Sequence, residues 1–138
     1  DINDEASDES KGIIDQTINY SHYTQASKFS MVIATLTILK QEVVVFHAHN
    51  GQWPKDLTDI GMKDKELTGE KYIDGIYIED GAIYANIESE FKIGATVKIT
   101  PEDGMNGLTI KWLCETNVEL KQVNYCNFDD YLNYPLTF

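Results

Sequence analysis

Two cysteines, three histidines and a series of acidic turns are the residues of this chain whose types could do chemistry. Cys114 and Cys126 stand in "CETNVELKQVNYC", with eleven residues between them. A thiol–disulfide redox pair normally sits at the much closer CxxC spacing. A zinc site needs about four ligands, and the histidines His22, His47 and His49 are scattered relative to the cysteines. A bridge around the intervening loop and two buried thiols therefore both stay open. His47 and His49 form "HAH", but positions i and i+2 of a helix point about 200° apart, so one ion does not readily take both. A place near a helix end suits them better, because a protonated imidazole is favourable at the C-terminal end of the helix dipole. The acidic turns "EDG" at 79–81 and "PEDG" at 101–104 carry oxygen ligands of the kind calcium takes. Ordinary turns use the same residues. The chain has no GxSxG, HExxH or phosphate-cradling glycine loop. The reading is no enzyme and no cofactor.

The elements that position these residues follow from composition and periodicity. The 138 residues are 42% hydrophobic and 25% charged, which suits one domain with one core. Acidic residues number 23 against 11 basic ones, all lysine, for a net charge of −12. Nucleic acid and anionic lipid both need clustered positive charge, so neither is an expected partner. No run of about 18 uninterrupted apolar residues occurs, so no membrane span is expected within the sequence.

Residues 1–9 read as an acidic leader, with Ser7 or Asp8 as the helix cap. From about 10 to 50 there is no proline and only Gly12. Phe29, Val32, Leu36, Leu39, Val43 and Phe46 alternate spacings of three and four, the stripe of an amphipathic helix. Asn50, Gly51 and Pro54 end it. So long a helix exceeds what one small domain covers, so one end is expected to project. Residues 51–70 read as a polar connector with one possible helical turn. Four short apolar runs follow, "KYIDGIYIE", "AIYANIE", "ATVKIT" and "LTIKWLC", with alternation at Ile83, Ala85, Ile87, at Ala95, Val97, Ile99 and at Leu108, Ile110, Trp112. Short links between them predict antiparallel neighbours. The expectation for 10–138 is therefore one α+β domain: a long N-terminal helix on a four-stranded antiparallel sheet at 71–114, then a loop and tail at 114–138. Met31, Thr35, Ile38 and Val45 lie on another side of the helix, a candidate subunit interface. The connector from Lys55 to Gly69 is the competing cover for it.

The ordered set "NGQWP", "PKDLTDIGM", "KYIDGIYIEDGAIYANI", "GLTIKWLC" and a second cysteine near the end resembles the globular part of a type IV pilin, over roughly Tyr20 to Cys126. The resemblance implies a structural or adhesive subunit of a bacterial surface filament. Its partners would be other pilin subunits and a host-cell or abiotic surface, and its route would run through the inner membrane and periplasm. Family members carry an apolar N-terminal half-helix that anchors in the membrane and then forms the fibre core. Here the polar run "DINDEASDESKGIIDQTIN" stands at that place, so a membrane would be reached only through a segment outside this sequence. A pilin-like domain of an accessory membrane protein is the alternative; a DNA-uptake pilin fits less, for want of a basic stripe. The resemblance also implies that Cys114 and Cys126 pair as a disulfide, which calls for an oxidising compartment. The bridge would close a surface loop, with Glu115, Thr116, Asn117, Val118, Glu119, Leu120 and Lys121 as the candidate recognition segment.

Overall fold

The computed structural model describes residues 9–62, 72–103, 110–119 and 125–135, with the side chains of the long helix from Gln25 onward. The leader up to residue 8, the second half of the connector, Leu108, and Leu120 and Lys121 of the candidate recognition segment lie outside the described residues.

Helix α1 runs Glu9–Asn50. Its end is set by glycine chemistry. Gly51 takes φ 71°, a left-handed conformation in which its N–H donates to the His47 carbonyl at 2.8 Å. The Asn50 side chain donates to the Phe46 carbonyl, and the His49 ring lies 3.0 Å from the Val45 carbonyl. The last turn thus finds partners for carbonyls that a helix end leaves open.

The chain then folds back on itself. Trp53 stacks on His47, with ring centroids 3.9 Å apart, and Pro54 is buried. The connector's helical turn is a short 3₁₀ helix, Leu57–Ile60. Asp56 caps it by accepting from the Asp59 N–H, and Gly61 closes it at φ 78°. Leu57 seats in the core.

Among the described residues five strands follow, β1 (Ile73–Glu79), β2 (Ala82–Ile87), β3 (Thr96–Asp103), β4 (Ile110–Thr116) and β5 (Asn127–Phe128), in the order β1-β2-β3-β4-β5. β1 to β4 form the expected antiparallel meander. The β1–β2 turn is the two residues Asp80 and Gly81, both at positive φ, the hairpin geometry that matches strand twist. Gly81 donates to the Pro54 carbonyl, and a Cβ there would stand 3.1 Å from Trp53 and Pro101. The hairpin tip and the helix exit are thereby locked together.

The four-stranded expectation is corrected by β5, which pairs parallel with β4 through Glu115–Asn127 and Thr116–Phe128. The cause lies beside it. The Cys114–Cys126 disulfide, with a Cα–Cα distance of 4.6 Å, brings the returning chain alongside the end of β4.

The core lies between α1 and one face of the sheet. Phe29, Val32, Leu36, Leu39 and Val43 are buried against Ile76, Ile78, Ile83, Ala85, Ile87, Val97 and Ile99. Phe46, expected in this stripe, is only half-buried. A strict three–four alternation averages 3.5 residues per turn against the helix's 3.6, so the stripe walks about 20° per heptad. Phe46 is the last of the series and has reached the margin. In β1 the buried positions run Ile73, Ile76, Ile78. A bulge between Ile73 and Gly75 inserts one residue and shifts the inward phase. By length and composition, Gln25–Asn50 is apolar enough to cross a membrane, although no unbroken apolar run is present. Its core stripe is nevertheless taken by the sheet.

Candidate assembly and recognition surfaces

Outside the core stripe, α1 exposes a second apolar line. Met31 is 42% exposed, Ile38 60% and Val45 52%; Thr35 is half-buried. Ser27 and Ala34 are exposed on the same side. The described part of the connector, up to Met62, turns its apolar residues Leu57, Ile60 and Met62 to the core and leaves this line open.

Among the described side chains, contacts of α1 with the β2–β3 loop begin at Gln25. The Gln25 amide donates to the Glu90 carbonyl at 3.5 Å. Lys28 pairs with the Glu90 carboxylate and stands over the Tyr72 ring at 5.2 Å. The hydrogen bond to Glu90 holds the Lys28 ammonium above its usual pKa. Glu88 is pushed up, first by desolvation and then by the charges of Glu90 and Asp74. Phe29 meets Phe91 edge to face.

The disulfide loop closes on the same end of α1. Tyr125, next to Cys126, stacks on Phe29 at 6.3 Å, and its hydroxyl lies 2.8 Å from the Ser30 hydroxyl. At the loop's other end, three residues of the candidate recognition segment turn inward: Thr116, Asn117 and Val118 are buried. Their polar atoms tie the chain together. The Asn117 side chain accepts from the Thr96 N–H and donates to the carbonyls of Gly94 and Leu132. Thr116 donates its hydroxyl to the Thr96 carbonyl. Surface recognition from the described part of this segment is left to Glu119, which is exposed, and Glu115, which is half-buried. The burial of Thr116 to Val118 had no signal in the sequence, where "ETNVE" has the polarity of a loop.

After β5 the tail crosses the outer face of the sheet. Lys92 pairs with Asp130 at 2.7 Å, and the Tyr134 hydroxyl sits 3.2 Å from where a Cβ of Gly75 would stand. Tyr134 also meets Tyr77, which meets Tyr84. Asn86, Gly94, Asn133, Tyr134 and Pro135 line an open groove there. Amides, a phenol and an apolar ring offer hydrogen bonding but no nucleophile–base pair. Among the described residues no three His, Cys, Asp or Glu side chains are grouped to hold a metal. His47 and His49 are engaged separately, one by Trp53 and one by the helix backbone.

A long helix on an antiparallel meander, closed by a disulfide, matches a family of known filament proteins. Residues 26–126 match the family described as pilin, bacterial filament. The chain belongs to the pilin family. The matched stretch ends on the second bridged cysteine. The pilin is 26% identical over 102 residues to the type IV major pilin protein PilE of Neisseria gonorrhoeae. That match covers 69% of this chain and 58% of the relative, so the pilin chain spans well under two thirds of the relative's length.

Proposed function

We propose that this chain is the globular part of a structural subunit of a type IV pilus-like filament on the bacterial surface, and that it works by assembly rather than catalysis. The observation that carries the reading is the apolar line Met31, Ile38 and Val45, left exposed by a fold that buries Phe29, Val32, Leu36, Leu39 and Val43 of the neighbouring stripe. Apolar area is worth about 25 cal/mol per Å² once removed from water. In a family of filament subunits, the helix of a neighbouring copy is the natural cover. Four of the six lysines with described side chains, all but the exposed Lys55 and Lys111, are engaged within the chain, which favours protein over nucleic-acid partners. Lys28 and Lys92 are paired with carboxylates, and Lys40 and Lys98 stand over aromatic rings. A phosphate-tracking stripe needs such side chains free and aligned.

The test is Ile38→Glu in cells that produce the filament. The expected result is a protein with an unchanged melting temperature that is lost from sheared filaments. A folded variant that enters filaments at the wild-type level overturns the reading.

A further inference from the structure

We infer that the groove on the outer face of the sheet, lined by Asn86, Gly94, Asn133, Tyr134 and Pro135, binds a neutral sugar ring of a glycan. The inference goes beyond the filament reading and does not depend on it. The period of the strands builds the groove. Ile83, Ala85 and Ile87 of β2 face the core, so Tyr84 and Asn86 between them face outward. On β1, Gly75 stands opposite Asn86 and Tyr77 opposite Tyr84. The missing side chain at Gly75 leaves the space that Tyr134 takes: a Cβ there would stand 3.2 Å from the Tyr134 hydroxyl oxygen. The Tyr134 ring is set against Tyr77, with centroids 6.5 Å apart. Gly94, at φ 77°, has nothing within 4 Å of where its own Cβ would stand, so it adds no bulk to the groove.

The chemistry of the lining selects the ligand. In a chain of net charge −12, the five lining residues include no carboxylate and no ammonium group, so a charged ligand would find no counter-charge among them. Among the described residues nothing hydrogen-bonds the half-buried Asn86 amide. Asn133 donates one N–H to the Tyr131 carbonyl at 3.2 Å, which leaves its amide oxygen for a ligand. A side-chain amide presents a donor and an acceptor side by side, the pattern that two neighbouring sugar hydroxyls match. Tyr134 and Pro135 supply apolar surface for the C–H face of the same ring. An extended peptide fits less well. The groove lies on a sheet face, not an edge, so it offers no strand to pair with. The rings meet at 59° and 70°, not as the parallel ridges that seat a proline-rich helix. α1 packs on the opposite face of the sheet, so covering the exposed helix line does not itself close the groove.

The experiment titrates the isotope-labelled chain with glucose, galactose, mannose and their N-acetylamino derivatives at millimolar concentrations, and follows the amide resonances by NMR. With at least one sugar, saturable shifts are expected at the side-chain amides of Asn86 and Asn133 and at the Gly94 backbone amide. Asn86→Leu keeps the volume and removes the amide. It should weaken that sugar about tenfold at an unchanged melting temperature, the scale of one lost pair of hydrogen bonds. No saturable shift with any sugar of the panel overturns the inference, and so do shifts confined to residues outside the groove, such as Glu115 to Glu119. Groove shifts with a proline-rich peptide and none with the sugars overturn it in favour of a peptide. The wild-type shifts decide even where Asn86→Leu fails to fold. None of these outcomes touches filament entry, which Ile38→Glu reads separately.

Discussion

Val32 and Val45 are the same residue on the same helix, yet one is fully buried under the sheet and the other is more than half exposed. Leu36 and Ile38 repeat the contrast two positions apart. The two faces of α1 have nearly the same chemistry and opposite fates. The buried face is satisfied inside the chain, by eight core side chains on three strands. The open face is not, and in the proposed filament another subunit covers it. Apolar content alone therefore separates neither face from the other; the phase of the stripe relative to the sheet does.

The largest test of that contrast is a pair of truncations. Leu36→Ala should cost about 2–5 kcal/mol, as buried leucines do, because the lost contacts leave a cavity the core only partly refills. Ile38→Ala should stay within about 0.5 kcal/mol, the range of surface changes. Chemical denaturation of both variants measures this, and equal losses would mean that the faces are wrongly assigned. Next in size is the Cys114–Cys126 bridge. Replacing Cys114 and Cys126 by serine should cost about 3 kcal/mol, chiefly by freeing the unfolded chain. Denatured, unreduced wild-type protein should show no titratable thiol; two thiols would refute the pairing.

The smallest effect concerns the 3₁₀ helix that seats Leu57 at the edge of the buried face. The hydroxyl of Thr58 and the N–H of Asp59 hold the Asp56 carboxyl below its usual pKa. Its folded pKa lies under its unfolded one, so its contribution is present above the unfolded value and is lost as pH falls through the folded value. Glu88 has the opposite sign: its pKa is raised, so its contribution declines as pH rises. Asp56→Asn isolates the first. The fall in melting temperature from pH 7 to pH 3 should be slightly shallower in the variant, and identical slopes would count against the cap.

Much of this was readable beforehand. The spacing of Phe29 to Val43 gave the helix and its buried side, and "EDG" gave the hairpin, because both depend on local rules of period and φ. β5 was not readable. Asn127 and Phe128 are exposed and pair only through backbone beside a covalent bond made elsewhere. The irregular phase of β1 was hidden because a bulge leaves no residue type as its mark. Asn117 looked like a loop asparagine, since its three partners come from distant segments. The open apolar line was visible by spacing, but the contact of Tyr125 with Ser30 was not, because only the folded loop makes it.

One feature of α1 has a mechanical side. The helix begins at Glu9, and its first described attachment to the sheet is at Gln25. Load on this part of the helix is carried by the described contacts of Gln25, Lys28 and Phe29, and the Tyr125 ring braces the helix at that same point. Directed along the axis, the load is shared by the whole buried stripe in shear. Directed sideways, it falls on those few contacts alone and peels them one at a time, so the domain resists a pull along its helix better than a bend.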